Sequence, residues 1–156
     1  MKQPAPVDLI HLVGSDGSRC VVRVTGRSLP GVLTDHDILH ADVLASMSSV
    51  DARLDLYLLP HDLDSWGQDL SGLHPGRTIG IGGDRGPGLD IRMHDDGRLS
   101  VRISDPDSLT VVLRTRPEGD WIAEHLRRLE LVRLTWPSEV VETSPGAYEW
   151  SPDRRR

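Results

Sequence analysis

His36, His40 and Asp42 are the residues of this sequence whose types could hold a metal ion. Two imidazoles and a carboxylate make an adequate donor set for a divalent cation. Apolar and polar residues alternate from 38 to 48, which places this stretch on a strand. Positions four apart on a strand are separated by about 13 Å, too far for one ion. Only a helix would bring His36 and His40 together, so neither a metal nor a cofactor is expected. The glycine-rich run from Gly80 through Asp84 and Arg85 to Gly88 invites comparison with a phosphate loop. Such a loop needs backbone amides feeding a helix N-terminus, usually with Lys and Ser or Thr following. Here Pro87 removes a donor, no lysine follows, and the next element reads as a strand. A mobile hairpin loop is expected instead.

Nucleophilic chemistry has no signature either. No Gly-x-Ser-x-Gly elbow is present. Cys20 is the lone cysteine and sits beside Val21 and Val22, where it reads as a small buried hydrophobe. A single cysteine excludes a disulfide framework and a cysteine-based zinc site. No catalytic residue is assigned from the sequence, because any acid–base pair would have to be assembled by the fold.

The charges carry more information. The net charge of −6 argues against nucleic acid as the main partner. Residues 34–76 hold eight Asp and only Arg53, a local balance of −7. Such a stretch repels phosphate and attracts basic surfaces. Asp42, Asp55 and Tyr57 fall on the outward faces of expected strands and are the candidate partner-binding residues. The cluster Arg154 to Arg156 reads as a frayed basic end. Trp66 and Trp121 lie on apolar helix faces and are expected to pack against a sheet. Trp136 and Trp150 are expected to dock on the body, the alternative being anchors for a partner.

These residues must be positioned by an aliphatic framework, since Phe is absent and Trp plus Tyr number six. Val7–Val13 and Arg19–Arg27 read as a hairpin around the Gly14–Gly17 turn. Ile38–Ser48 and a strand from Asp51 read as an antiparallel pair with one buried face. The Ser48-Ser49-Val50 link lacks Asn-Gly chemistry and leaves their register open. From His61 the apolar period becomes helical through Leu63, Trp66, Leu70 and Leu73, with Asp62 and Asp64 near the helix start. Strands follow around Ile79–Ile81, Leu89–Met93, Leu99–Ile103 and Leu109–Leu113. The Asp95-Asp96-Gly97 link suits a hairpin with Gly97 left-handed. That loop sets Met93 opposite Leu99, Ile91 opposite Val101 and Asp90 opposite Arg102, a favourable cross-strand charge pair. A second helix begins after Asp120, its N-cap, and ends before Pro137, with Arg127, Arg128 and Arg133 toward its C-terminal end.

The expected fold is α+β: a mainly antiparallel sheet of about six or seven strands with two helices packed on one face. Residues 1–136 form one domain and 137–156 a partly docked tail. No apolar run is long enough for a membrane span. Lys2 precedes an apolar stretch interrupted by Asp8 and His11, which is not a signal-peptide core, so a cytoplasmic protein is expected.

The run from Trp136 through Pro137, Val140, Val141, Pro145 and Tyr148 to Trp150 resembles the end of a family of small actinobacterial proteins of unknown function. The openings Val7–Leu12 and Asp120-Trp121-Ile122 are similar as well. This resemblance implies a Streptomyces-like source and brings no activity. The order of elements also resembles WapI-type immunity proteins, which neutralise a toxin delivered between bacterial cells; it carries over no binding residue. The expected function is a non-enzymatic protein-binding module, an immunity protein being one form of it. Its partner would be a basic protein such as a toxin domain. The alternative is an enzyme or small-ligand-binding protein with a pocket assembled by the fold.

Overall fold

A computed structural model describes residues 3–83 and 86–154. Lys2, Asp84, Arg85, Arg155 and Arg156 lie outside the described residues. Four strands, β1 (Val7–Val13), β2 (Arg19–Arg27), β3 (Leu39–Ser46) and β4 (Asp51–Leu58), form an antiparallel sheet in chain order. Their period-two pattern sends Val22, Val24, Ala41, Val43, Leu56 and Leu58 into the core. Pro60 then stops the sheet. It occupies the first turn of helix α1 (Pro60–Ser71), where a missing N–H removes no helix bond. Asp62 accepts a hydrogen bond from the Leu59 N–H at 2.8 Å and closes the helix start.

The chain emerges into a second antiparallel sheet, β5 (Thr78–Gly82), β6 (Gly88–Met93), β7 (Leu99–Asp105) and β8 (Leu109–Thr115), again in chain order. The β6–β7 register pairs Met93 with Leu99, Ile91 with Val101 and Asp90 with Arg102, as the turn chemistry requires. Gly97 has φ +84°, the left-handed conformation that glycine adopts without penalty. Asp90 and Arg102 face each other across the strands but are not among the ion pairs of the described residues.

The glycine-rich run closes the β5–β6 hairpin, with Gly82 opposite Gly88. A Cβ on Gly88 would lie 2.5 Å from the Gly83 amide nitrogen and 2.7 Å from its Cα. The two backbones meet there, so glycine is needed for close approach. Helix α2 (Trp121–Thr135) starts at Asp120, whose side chain accepts from the Ala123 N–H at 3.1 Å. The chain ends in a hairpin of β9 (Val140–Ser144) and β10 (Ala147–Trp150).

The strand count differs from the single sheet of six or seven strands expected. The described residues form ten strands, in two four-stranded sheets and a two-stranded hairpin. Proline and a helix between β4 and β5 interrupt hydrogen bonding, so the later strands start a new sheet. Both sheets, α1 and α2 contribute to one core, with Leu9, Ile91, Leu99, Trp66, Trp121 and Val132 among its members.

Edge strand β1 is sealed by α2. His125 Nε2 accepts the His11 backbone N–H at 3.1 Å, and Arg128 donates to the Asp8 carbonyl at 3.3 Å. Helix side chains thereby satisfy groups that an edge would leave open. His125 is buried, and its Nδ1 lies 2.7 Å from the Trp121 carbonyl. With Nε2 accepting, Nδ1 carries the proton and the ring is neutral. Burial, chiefly, lowers its pKa from the ordinary value of 6.5, and the Arg128 charge adds to this. Below about pH 6.5 the unfolded chain takes up a proton that the folded chain refuses, so stability falls with falling pH. Urea unfolding at pH 7.5 and 5.5 is expected to show this loss, and His125→Gln to shrink it. An unchanged pH slope in the variant would assign the loss to other groups.

Candidate functional site

The polar row of β3 and β4 faces outward because the alternate row is taken by the core. Register pairs Asp42 with Asp55, His40 with Tyr57 and Leu44 with Arg53. The three partner-binding candidates therefore lie on one face. Two carboxylates directly opposite each other on adjacent strands repel, so this arrangement is unfavourable without cations nearby.

One cation, Arg53, and one imidazole, His40, lie beside them. Arg53 donates from Nε and Nη2 to Asp42 Oδ1 at 3.2 and 3.0 Å. His40 Nε2 lies 2.9 Å from Asp55 Oδ1 and 3.9 Å from Asp42 Oδ1. His40 is held from behind by Thr25, whose Oγ1 is 2.7 Å from Nδ1 and also donates to the His40 carbonyl at 3.2 Å. Tyr57 stands edge-on to the His40 ring at 5.5 Å. Asp55 and Tyr57 reach solvent, with 66% of the Asp55 side chain and 52% of Tyr57 exposed. Asp42 does not: its side chain is 14% exposed, beneath Arg53 and beside His40.

A cleft of about 1120 Å³ opens beside this face, with Thr25, His40, Tyr57, Leu134, Trp136 and Glu139 among its walls. Leu134, on the last turn of α2, is 77% exposed. The remaining wall is the start of the C-terminal segment. Asp37 accepts from the Glu139 and Val140 amides, each at 3.0 Å, and from Arg27 Nη1 at 3.0 Å. Arg27 Nη2 donates to the Pro137 carbonyl and to Glu139 Oε1. His36 accepts the Gly31 N–H at Nδ1, so its Nε2–H donates to Glu139 Oε1 at 3.0 Å. That bond first, and the Arg27 and Arg154 charges, hold the Glu139 carboxyl below its usual range. Trp150 lies edge-on to His36 at 4.8 Å, and the Arg154 guanidinium covers the Trp150 ring at 3.7 Å. Trp136 is buried.

The acidity of residues 34–76 is partly offset in three dimensions, because four of its eight aspartates pair with arginines. Arg27 pairs with Asp37, Arg53 with Asp42, Arg133 with Asp64 and Arg77 with Asp69. The segment as a whole is therefore not a uniformly negative face, and Asp55 is its most open carboxylate beside an aromatic ring. Cys20 is fully buried, and burial pushes its thiol up to about 12, which keeps it protonated.

His36 lies in the segment before β3, against Glu139, and does not join His40. The structure instead brings Asp55 to His40 and Asp42, with one donor atom from each lying within 4.8 Å of the others. Spacing along one strand could not reveal this set. The β3–β4 register reveals it at once, because it places residue 42 against 55.

Fold and site together define an α+β protein of two four-stranded antiparallel sheets and a C-terminal hairpin, with a charged, aromatic-flanked outer face. Residues 7–137 match the model of a family of unknown function, DUF5959, and the chain belongs to that family. Comparison with curated proteins and with solved structures gave no match. No helix among the described residues is long and apolar enough to cross a membrane.

Proposed function

We propose that this chain is a non-enzymatic protein-binding module whose β3–β4 face receives a basic side chain of its partner. The supporting observation is the opposed pair Asp42 and Asp55 beside the half-exposed Tyr57. Asp55 offers a charge-assisted hydrogen bond to an arginine or lysine, Asp42 adds its negative charge from beneath Arg53, and the tyrosine ring offers its face. The exposed carboxylate speeds encounter with a basic surface. A toxin domain acting on the cell that makes this protein is a partner of suitable chemistry. The likeness in element order to WapI-type immunity proteins, the Streptomyces-like source and a cytoplasmic location belong to this reading.

The test uses a basic toxin domain, to be sought among the reading frames that adjoin the gene for this protein. Reversal of both carboxylates, Asp42→Lys with Asp55→Lys, is expected to weaken its binding by about tenfold or more and to flatten the salt dependence. Asp55→Lys alone spares the half-buried Asp42 and is expected to retain the fold. Equal affinity and equal salt slope for both variants would overturn the proposal. The cleft favours a second reading, a small-ligand-binding protein, because His40 and Tyr57 reach into it beside Glu139.

A further inference from the structure

The geometry points to a divalent transition-metal site formed by His40 Nε2, one oxygen of Asp42 and one of Asp55, with zinc the best-matched ion. Their donor atoms all lie within 4.8 Å of one another, and the two measured nitrogen–oxygen separations are 2.9 and 3.9 Å. Ligands at about 2.1 Å from zinc are about 3.4 Å apart in a tetrahedral arrangement, so each measured histidine–carboxylate separation is within about 0.5 Å of what the ion needs. One imidazole with two carboxylates suits zinc better than magnesium or calcium, which favour all-oxygen sets. Three protein donors leave a fourth position for water or a ligand.

Two features outside the donor triad support the assignment. Thr25 on β2 donates its hydroxyl to the His40 carbonyl at 3.2 Å and lies 2.7 Å from Nδ1. The 2.9 Å approach of Nε2 to Asp55 Oδ1 needs a proton on Nε2, because a carboxylate only accepts; a bound ion would take the place of that proton, with Nδ1 then donating to Thr25 Oγ1. This is the orientation a ligating histidine takes when its other nitrogen is fixed by a partner. The second feature is Arg53. Its guanidinium makes both its bonds to Asp42 Oδ1, yet the side chain is 68% exposed, so it can swing aside without uncovering the core. Arg53 is then the resident cation that a metal ion displaces.

That role gives the experiment its sign. The inference does not rest on the partner-binding reading, because the isolated full chain is titrated with Zn²⁺ alone, and with Co²⁺ as a spectroscopic substitute. The wild type is expected to bind one ion, with Co²⁺ developing visible d–d bands and Zn²⁺ shifting the His40 Nε2 resonance in ¹⁵N spectra. Asp55→Asn and His40→Gln are expected to lose the bands. Thr25→Val, which removes only a positioning residue, is expected to weaken binding about 10–100-fold. Arg53→Gln is expected to tighten it severalfold, a change that a purely structural ion-pair network would not produce. Circular dichroism of each variant in chelator checks that the fold is retained. A Co²⁺ spectrum like that of the free ion, resonance shifts at another histidine, or Arg53→Gln binding no tighter than wild type would overturn the assignment.

Discussion

Replacing Trp66 by alanine is expected to remove about 3–5 kcal/mol of stability, a large share of what a domain of this size possesses. Trp66 is the largest fully buried side chain of the common core. It stands on α1, the element that separates the two sheets in sequence, and belongs to the core to which both contribute. A chain without phenylalanine has few side chains that fill such volume. Truncation leaves a cavity that neighbouring leucines can only partly close.

The tryptophan also carries a penalty that separates volume from polarity. Its Nε1 is buried and has no hydrogen-bond partner among the described residues. Unpaired buried donors cost about 1–3 kcal/mol. Trp66→Phe removes that donor while keeping an aromatic ring, so it is expected to cost much less than alanine. Urea unfolding of the two variants measures the difference. If alanine and phenylalanine are equally destabilising, ring volume is not what anchors α1.

Much of the scaffold was legible because local signals agreed. In β6–β7 the alternation, the left-handed Gly97 and the facing pairs all indicate one register, and the structure has it. The α2 start was readable because Asp120 precedes a run of helical period, and its side chain does cap the helix. The β9–β10 hairpin was missed, although Pro145-Gly146 carries turn chemistry and Gly146 has φ +78°. Its strands are short and mostly exposed, so no buried alternate row marks them.

The site was less legible for a different reason. Asp42 and Asp55 are thirteen positions apart across a turn whose type does not specify pairing, so their opposition follows only once the register is known. The pairing of Asp37 with Glu139 and Val140 spans more than a hundred residues. No periodicity reports such a contact. Local charge counting failed for the same reason: Arg27 and Arg133 reach the acidic segment from distant elements.

Asp37→Ala is expected to release the C-terminal hairpin from the body. Asp37 and Arg27 are both 11% exposed at the side chain, so each depends on the other for compensation. Removing the carboxylate strands the Glu139 and Val140 amides and leaves Arg27 with Glu139 as its ion-pair partner. Breaking a buried pair from one side costs about 3–5 kcal/mol. That loss falls on a small unit, because among the described residues β9 and β10 pair with each other and with no other strand. The expected signature is local: amide exchange in residues 140–150 speeds up and Trp150 emission shifts to the red, while core amides keep their protection. Asp37→Asn keeps one acceptor oxygen and is expected to fall between. Unchanged exchange in the hairpin would place its anchorage at Trp150, His36 and Arg154 instead. Because Pro137 and Glu139 wall the cleft beside Tyr57, the same substitution also tests whether that wall shapes partner binding. If it does, affinity falls with the hairpin's release; if Asp55 and Tyr57 act alone, affinity is kept.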